Sequence, residues 1–382
     1  MTQRPIVIIG SGLAGYTVAR EFRKLDAQTD LIILTEDHGG FYSKPMLSNA
    51  FAQKKNADSL LMKTAEIMSA EVKAEIRAHT KVREINPEKK QITIDGCILE
   101  YSKLVLALGA DPIRLNLQGD GADAVISVNN LDGYRVFREA ILDKKNIVIL
   151  GAGLIGCEFA NDLAGADYKV QVIDLAPQLL GRLLPEESAS YIQTKLEEEG
   201  IIFHLGKKTQ QIVRSGNQLK LQLDDGTIIL ADVVLSAVGL KPRTDLAEAA
   251  GIKTSRGIVV NKYLQTNFED IYALGDCAEV EGRVLPFVMP IMHAARALAP
   301  MLTGKPTPVN YPAMPVAVKT PACPTVVAPP DSNATGKWQI DDCVGGIKAR
   351  FTHTDGQLLG FVLMGAALSE KATLTQQLPA LK

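Results

Sequence analysis

The feature that most constrains this chain is a unit that occurs twice. Ile6-Val7-Ile8-Ile9 is a short β-branched run of the kind buried in a parallel sheet. It leads straight into Gly10-Ser11-Gly12-Leu13-Ala14-Gly15 and then into a helical pattern carrying Val18, Phe22 and Leu25. A second apolar run, Leu31-Ile32-Ile33-Leu34, follows and ends at Glu36, 21 residues after Gly15. The same order returns in Ile147-Val148-Ile149-Leu150, Gly151-Ala152-Gly153-Leu154-Ile155-Gly156, a helix through Phe159 and Leu163, and Val170-Gln171-Val172-Ile173. That copy ends at Asp174, 18 residues after Gly156. One G-x-G-x-x-G is a weak signal, because Gly-rich turns are common. Two copies, each set between strand and helix and each followed by an acid, predict two dinucleotide-binding units. The glycines allow a tight turn and close approach to a pyrophosphate, which the unpaired N–H groups and positive dipole end of the helix then meet. The carboxylate is placed to accept from ribose hydroxyls. At the second unit Asp174 favours a free 2′-hydroxyl and repels a 2′-phosphate. No arginine precedes Arg182 in the residues that follow, which points to NADH rather than NADPH.

Length and composition agree with an α/β protein of more than one domain. The chain has 382 residues, too many for one hydrophobic core, and 31 glycines suited to many tight turns. A net charge of −2 supplies no global basic field for nucleic acid or anionic lipid. Cys97, Cys157, Cys277, Cys323 and Cys343 are scattered and odd in number, with no C-x-x-C, which suggests reduced thiols in a cytoplasmic protein. The five histidines show no metal-ligand spacing, so no metal site is expected. No signal-peptide anatomy is present at the N-terminus. The apolar stretch from Leu285 to Leu302 is broken by Pro290, His293, Arg296 and Pro300, so no membrane span is expected.

Three further apolar runs end in glycine: Leu104 to Gly109, Val233 to Gly239, and Ile271-Tyr272-Ala273-Leu274-Gly275. Asp276 follows the last of them. Its carboxylate can bond the ribityl hydroxyls of a flavin, or it can cap a helix; the residues alone leave both readings open.

Through these motifs the chain resembles the pyridine nucleotide–disulfide reductase superfamily of two-nucleotide flavoproteins over nearly its whole length. The resemblance implies that Gly10, Gly12, Leu13, Ala14, Gly15, Glu36, Val82 and Asp276 contact one bound FAD. It implies that Gly151, Gly153, Leu154, Ile155, Gly156, Asp174 and Gly239 contact NADH, and that Glu158 bonds the nicotinamide carboxamide. Taken alone, Glu158 reads equally as a first-turn carboxylate favoured by the helix dipole. The redox cysteines of the disulfide-reducing branches are missing: Gly39-Gly40-Phe41-Tyr42-Ser43-Lys44-Pro45-Met46-Leu47-Ser48 contains none. Cys157 and Cys277 read as packed thiols. Tyr42-Ser43-Lys44-Pro45-Met46-Leu47-Ser48 instead resembles a stretch of ferredoxin and rubredoxin reductases, which implies that Lys44 and Pro45 lie beside the flavin. Pro315 to Pro324 and Leu285 to Pro290 resemble the rubredoxin-reducing branch, which implies that Lys319 also lies near the flavin ring and that the helix starting after Pro290 aims at it. The residues alone leave Lys44 open as a solvated lysine before a proline and Lys319 as an edge-strand lysine.

The implied fold is α/β: two Rossmann-like dinucleotide-binding domains, one for FAD and one for NAD, plus a small α+β C-terminal domain. The implied FAD domain is split over residues 1–112 and 241–310, with the NAD domain inserted at 113–240 and the C-terminal domain at 311–382. In that last part Asp355-Gly356 signals a hairpin, and Ser369 is placed to cap a terminal helix. The implied activity is hydride transfer from NADH to FAD, followed by release of electrons one at a time to rubredoxin, an acidic iron protein, in a system of the alkane hydroxylase type. Lys44 and Lys319 are the catalytic candidates, through stabilisation of negative charge on the reduced ring. A reductase of flavorubredoxin or of a ferredoxin is the nearest rival. A flavoprotein that senses NADH and recruits partners is the rival of another class. Oligomeric state is left open.

Overall fold

The computed structural model describes residues 4–381. Two five-stranded parallel sheets form the framework. In the first, the strands run in the order Ile271–Ala273, Lys103–Leu106, Ile6–Ile9, Leu31–Leu34, Glu75–Arg77. In the second the order is Ile202–Leu205, Lys169–Asp174, Asn146–Leu150, Val233–Ser236, Ile126–Ser127. Each sheet is centred on the strand that feeds a glycine turn. The residues of Ile6–Ile9 are all buried, as a strand covered on both faces must be. Phe22, on the helix Leu13–Arg23, is fully buried in the same core. A side chain of that size contributes about 1.5–3 kcal/mol by leaving water.

Two short antiparallel strands, Ala110–Pro112 and Leu240–Pro242, join the two sheets where the chain passes out of one and back into the other. Arg243 and Asp111 pair across this crossing at 2.6 Å. The pair holds the Asp111 carboxyl below its usual range and raises the Arg243 guanidinium.

The C-terminal part is a five-stranded antiparallel sheet in the order Val316–Val318, Thr325–Ala328, Leu358–Met364, Gly346–Thr352, Lys337–Cys343. Its hairpin turns through Asp355 and Gly356 as the sequence signals. The architecture is therefore two Rossmann-like parallel α/β units and an antiparallel C-terminal unit. Among the described residues, no helix is long and apolar enough to cross a membrane.

Two local expectations are corrected. The helix expected after Pro290 starts at Val288 and runs to Leu302, because proline is tolerated in a first turn, where no intrahelical donor is needed. Ser369 does not cap the last helix. It lies inside the short helix Gly365–Glu370, where its hydroxyl donates to the Ala366 carbonyl, and Glu370 precedes the helix Lys371–Gln377.

Candidate functional site

Both glycine turns open onto one cavity of about 2230 Å³. A typical small-molecule pocket holds roughly 300–1,000 Å³, so this one has room for more than one ligand. The glycines of each turn fall into two kinds. A Cβ at Gly10 would overlap the carbonyl oxygen of Ala107, and one at Gly15 would overlap that of Gly10. In the second turn, Gly151 and Gly156 are held in the same way by Ala237 and by Gly151 itself. Gly10 and Gly151 also sit at φ +114 and +108, which L side chains rarely adopt. These four glycines are required by the protein's own packing.

The middle glycines are different. Gly12 and Gly153 have ordinary extended backbone (φ −72 and −76), and a Cβ on either would meet no protein atom within 4 Å. Nothing in the protein requires glycine there, so the space they keep open suits a ligand lying against the backbone. Each is the N-cap of its helix without a side-chain cap, and neither helix carries an acid in its first turn. The free N–H groups and positive dipole end at the cavity wall are therefore uncompensated, which suits a pyrophosphate. Gly12, Leu13 and Ala14 line the cavity from one side, and Gly153, Leu154 and Ile155 from the other. Gly10, Gly15 and Gly156 do not line it.

The acids after the second strands part company. Asp174 ends its strand and lines the cavity. Its carboxylate accepts from the backbone N–H groups of Ala152 (2.5 Å) and Ala176 (2.7 Å), which fixes its aim. Glu36 does not take the matching place. The backbone N–H of Gly10 donates to Leu34 as that of Gly151 does to Ile173. Thr35 is thus the register partner of Asp174, and Glu36 that of the exposed Leu175. Glu36 and Leu175 both lie in the bends that follow their strands, but Leu175 lines the cavity and Glu36 does not. Glu36 is exposed, pairs with Lys81 at 3.3 Å, and does not line the cavity. Asp37 lines it instead, accepting from Ser11 (3.1 Å), Thr35 (2.7 Å) and the backbone of Gly39 (2.9 Å). Val82 is buried in the first core and does not line the cavity.

Lys44, Pro45 and Asp276 line the cavity from the first unit, Gly239 from the second and Lys319 from the C-terminal unit. Asp276 is not a helix cap: Leu274 holds that position. Burial pushes its carboxyl above the usual range, and the charge of Lys44 opposes that shift. Neither lysine is solvated in the manner of a free surface residue, but their partners differ. Lys319 donates to Glu158 (2.6 Å), Ser48 (2.9 Å) and the Pro45 carbonyl (2.5 Å). Lys44 donates to the neutral amide of Asn129 at 3.1 Å.

Glu158 is only 1% exposed and lies beyond the first turn of its helix, so the first-turn reading fails. Both of its oxygens are engaged within the protein: Oε1 accepts the Lys319 backbone N–H at 3.0 Å, and Oε2 accepts from Ser48 and the Lys319 ammonium. As placed, it anchors Lys319 rather than offering a free carboxylate to a nicotinamide. Two neighbours on the same helix act alike. Asn161 accepts from the Ala322 backbone, and Asp162 from those of Phe51 and Ala52. One face of the helix Leu154–Ala164 thus holds both the segment after Lys44 and the segment after Lys319.

Sequence reasoning missed Asp37, Ser48, Asn129, and the pair Arg283–Asp331 (2.6 Å), which ties two cavity-lining loops together. Asp37, two residues past Thr35, and Ser48, which closes the Tyr42–Ser48 stretch, carried a local signal; Asn129 and the Arg283–Asp331 pair carried none. Cys157 and Cys277 are fully buried, and burial raises both thiols, Cys277 to about 11. Inert thiols of that kind suit a site without a cysteine relay.

Comparison with known proteins places the chain in a family. Residues 4–299 match the family model described as pyridine nucleotide-disulphide oxidoreductase, and residues 308–378 match that of a rubredoxin binding C-terminal domain. The chain is 49% identical to a rubredoxin-NAD(+) reductase of Acinetobacter baylyi, over 99% of this chain and 98% of the relative. It is 47% identical to one of Alcanivorax borkumensis, over 99% of each. Among solved structures, a ferredoxin reductase from Rhodopseudomonas palustris matches with a TM-score of 0.89 at 27% identity, over 99% of this chain and 96% of that one. The chain belongs to the pyridine nucleotide-disulphide oxidoreductase family and groups there with the rubredoxin-NAD(+) reductases.

Proposed function

We propose that this chain carries electrons from NADH, through one bound FAD, to rubredoxin. The observation that carries this reading is the single cavity onto which both unfilled glycine positions open. Two dinucleotides gripped at Gly12 and Gly153 can bring their rings together within it. FAD, when bound, supplies the chemistry of taking a hydride and releasing electrons singly. The protein's part is to bind, aim and charge. The turn at Gly12 to Ala14 receives one pyrophosphate, and Asp276 receives the polar chain between that pyrophosphate and the ring. Gly153 to Ile155 and Gly239 receive the second nucleotide, and Asp174 its ribose. Lys44 and Lys319 place ammonium groups where negative charge develops.

Rubredoxin is favoured as acceptor because the match to a rubredoxin binding domain spans residues 308–378, the part that delivers Lys319 to the cavity. By resemblance to rubredoxin reductases, we infer an oxygenase of the alkane hydroxylase type as the client downstream. The reducing compartment we assign fits five cysteines that form no disulfide.

Anaerobic rapid mixing tests the proposal. Purified protein should be yellow, NADH should bleach it within the dead time or soon after, and oxidised rubredoxin should restore the colour at least tenfold faster than a plant-type ferredoxin does. Protein that stays colourless after incubation with FAD, or equal rates with the two acceptors, would overturn it.

A further inference from the structure

The two lysines at the cavity stand in different electrostatic settings. Lys319 is matched by the carboxylate of Glu158 and two further oxygens, so the pair presents little net charge. Lys44 has no such partner: its only side-chain hydrogen bond among the described residues is to Asn129. Asn129 is itself firmly held. It follows the strand Ile126–Ser127 of the second sheet and precedes Asn130, whose side chain caps the helix Leu131–Ala140. Its Nδ2 donates to the carbonyl of Ala110, in the strand pair joining the two sheets, at 2.8 Å. That bond settles the amide's orientation. The reverse orientation would set the NH₂ group against an ammonium and the carbonyl against a carbonyl. Asn129 and Lys44 both line the cavity.

We propose that Asn129, contributed by the second nucleotide unit, is a positioning residue for Lys44: its amide oxygen aims the ammonium at the flavin edge without adding a further negative charge beside it. The inference rests on the function proposed above. An amide is the side chain for this purpose, because a carboxylate in its place would cancel the charge it positions. The groups facing Lys44 are consistent with that arrangement. Burial lowers its pKa, the charge of Asp276 opposes this, Arg243 lowers it further, and Asp111 and Asp37 raise it.

The test is the pH dependence of flavin bleaching by NADH in the FAD-loaded protein, compared with Asn129→Asp and Asn129→Ala. If charged Lys44 speeds hydride acceptance, the rate falls as pH rises through the lysine's pKa. Asn129→Asp puts an anion beside the ammonium and should move that fall up by about one pH unit or more. The same variant should make the flavin harder to reduce at neutral pH. Asn129→Ala removes the acceptor and should move the fall down. Neither variant should move anything in a Lys44→Met background, where a merely structural effect would persist. Asn129→Asp is nearly isosteric and carries the test even if Asn129→Ala does not fold. An unchanged fall in Asn129→Asp, or shifts that survive in Lys44→Met, would overturn the inference. Wild-type protein that binds no FAD would instead overturn the function it rests on.

Discussion

The two nucleotide units build the same turn and then close it differently. Gly10 and Gly151 follow equivalent strand ends, and each turn leaves its middle glycine facing open space. In the second unit one residue, Asp174, both caps the turn and faces the cavity. In the first unit Thr35 occupies that register position, and a cluster of Ser11, Thr35 and Asp37 does the same work. The second unit concentrates turn-holding and ligand-facing in one carboxylate; the first spreads them over three side chains. Counting residues from the glycines finds an acid in both units. The course of the bend after the strand decides which acid lines the cavity.

The largest effects should come from the packed glycines. Gly15→Ala and Gly156→Ala each drive a methyl into a backbone oxygen, an overlap that costs about 3 kcal/mol or more. Both variants should show the loss in thermal unfolding, with or without nucleotides; a change under about 1 kcal/mol in one but not the other would break the equivalence of the turns. Next come the open glycines. Gly12→Ala and Gly153→Ala should stay within about 0.5 kcal/mol of wild type in apo stability. Gly12→Ala should lose FAD on gel filtration, while Gly153→Ala should keep its colour and raise the NADH KM about tenfold or more. If both lost FAD equally, the division of labour between the turns would fail.

The smallest effects sharpen the contrast between the acids. Asp174→Ala should raise the NADH KM several-fold and narrow the preference over NADPH, because the anion that repels a 2′-phosphate is gone. Glu36→Ala removes an exposed ion pair of about 0.2–1 kcal/mol and should leave FAD affinity within about twofold. FAD titration of the apo protein checks the second outcome, and a tenfold loss there would restore Glu36 to the site.

Much of this was legible in the chain. Strands, glycine turns and Asp174 are local, and their spacing carries them. Lys44 and Lys319 reached the site through resemblance, and both line the cavity. Their partners could not be read. Asn129 lies 85 residues from Lys44, and Glu158 lies 161 from Lys319. No periodicity encodes such meetings; they exist only once three sheets are packed. The placing of Glu36 outside the cavity lining was not legible for a different reason, since the course of the bend after Leu34 follows from no spacing.

The helix Leu154–Ala164 has a consequence for motion. Glu158, Asn161 and Asp162 clamp its own sheet to the segment after Lys44 and to the C-terminal sheet. Parting this helix from the C-terminal sheet breaks the Glu158–Lys319 ion pair at 2.6 Å and the Asn161–Ala322 bond together. Any outward swing of the C-terminal sheet would also carry Lys319 away from the cavity, so the helix that holds the second turn also keeps that ammonium in place.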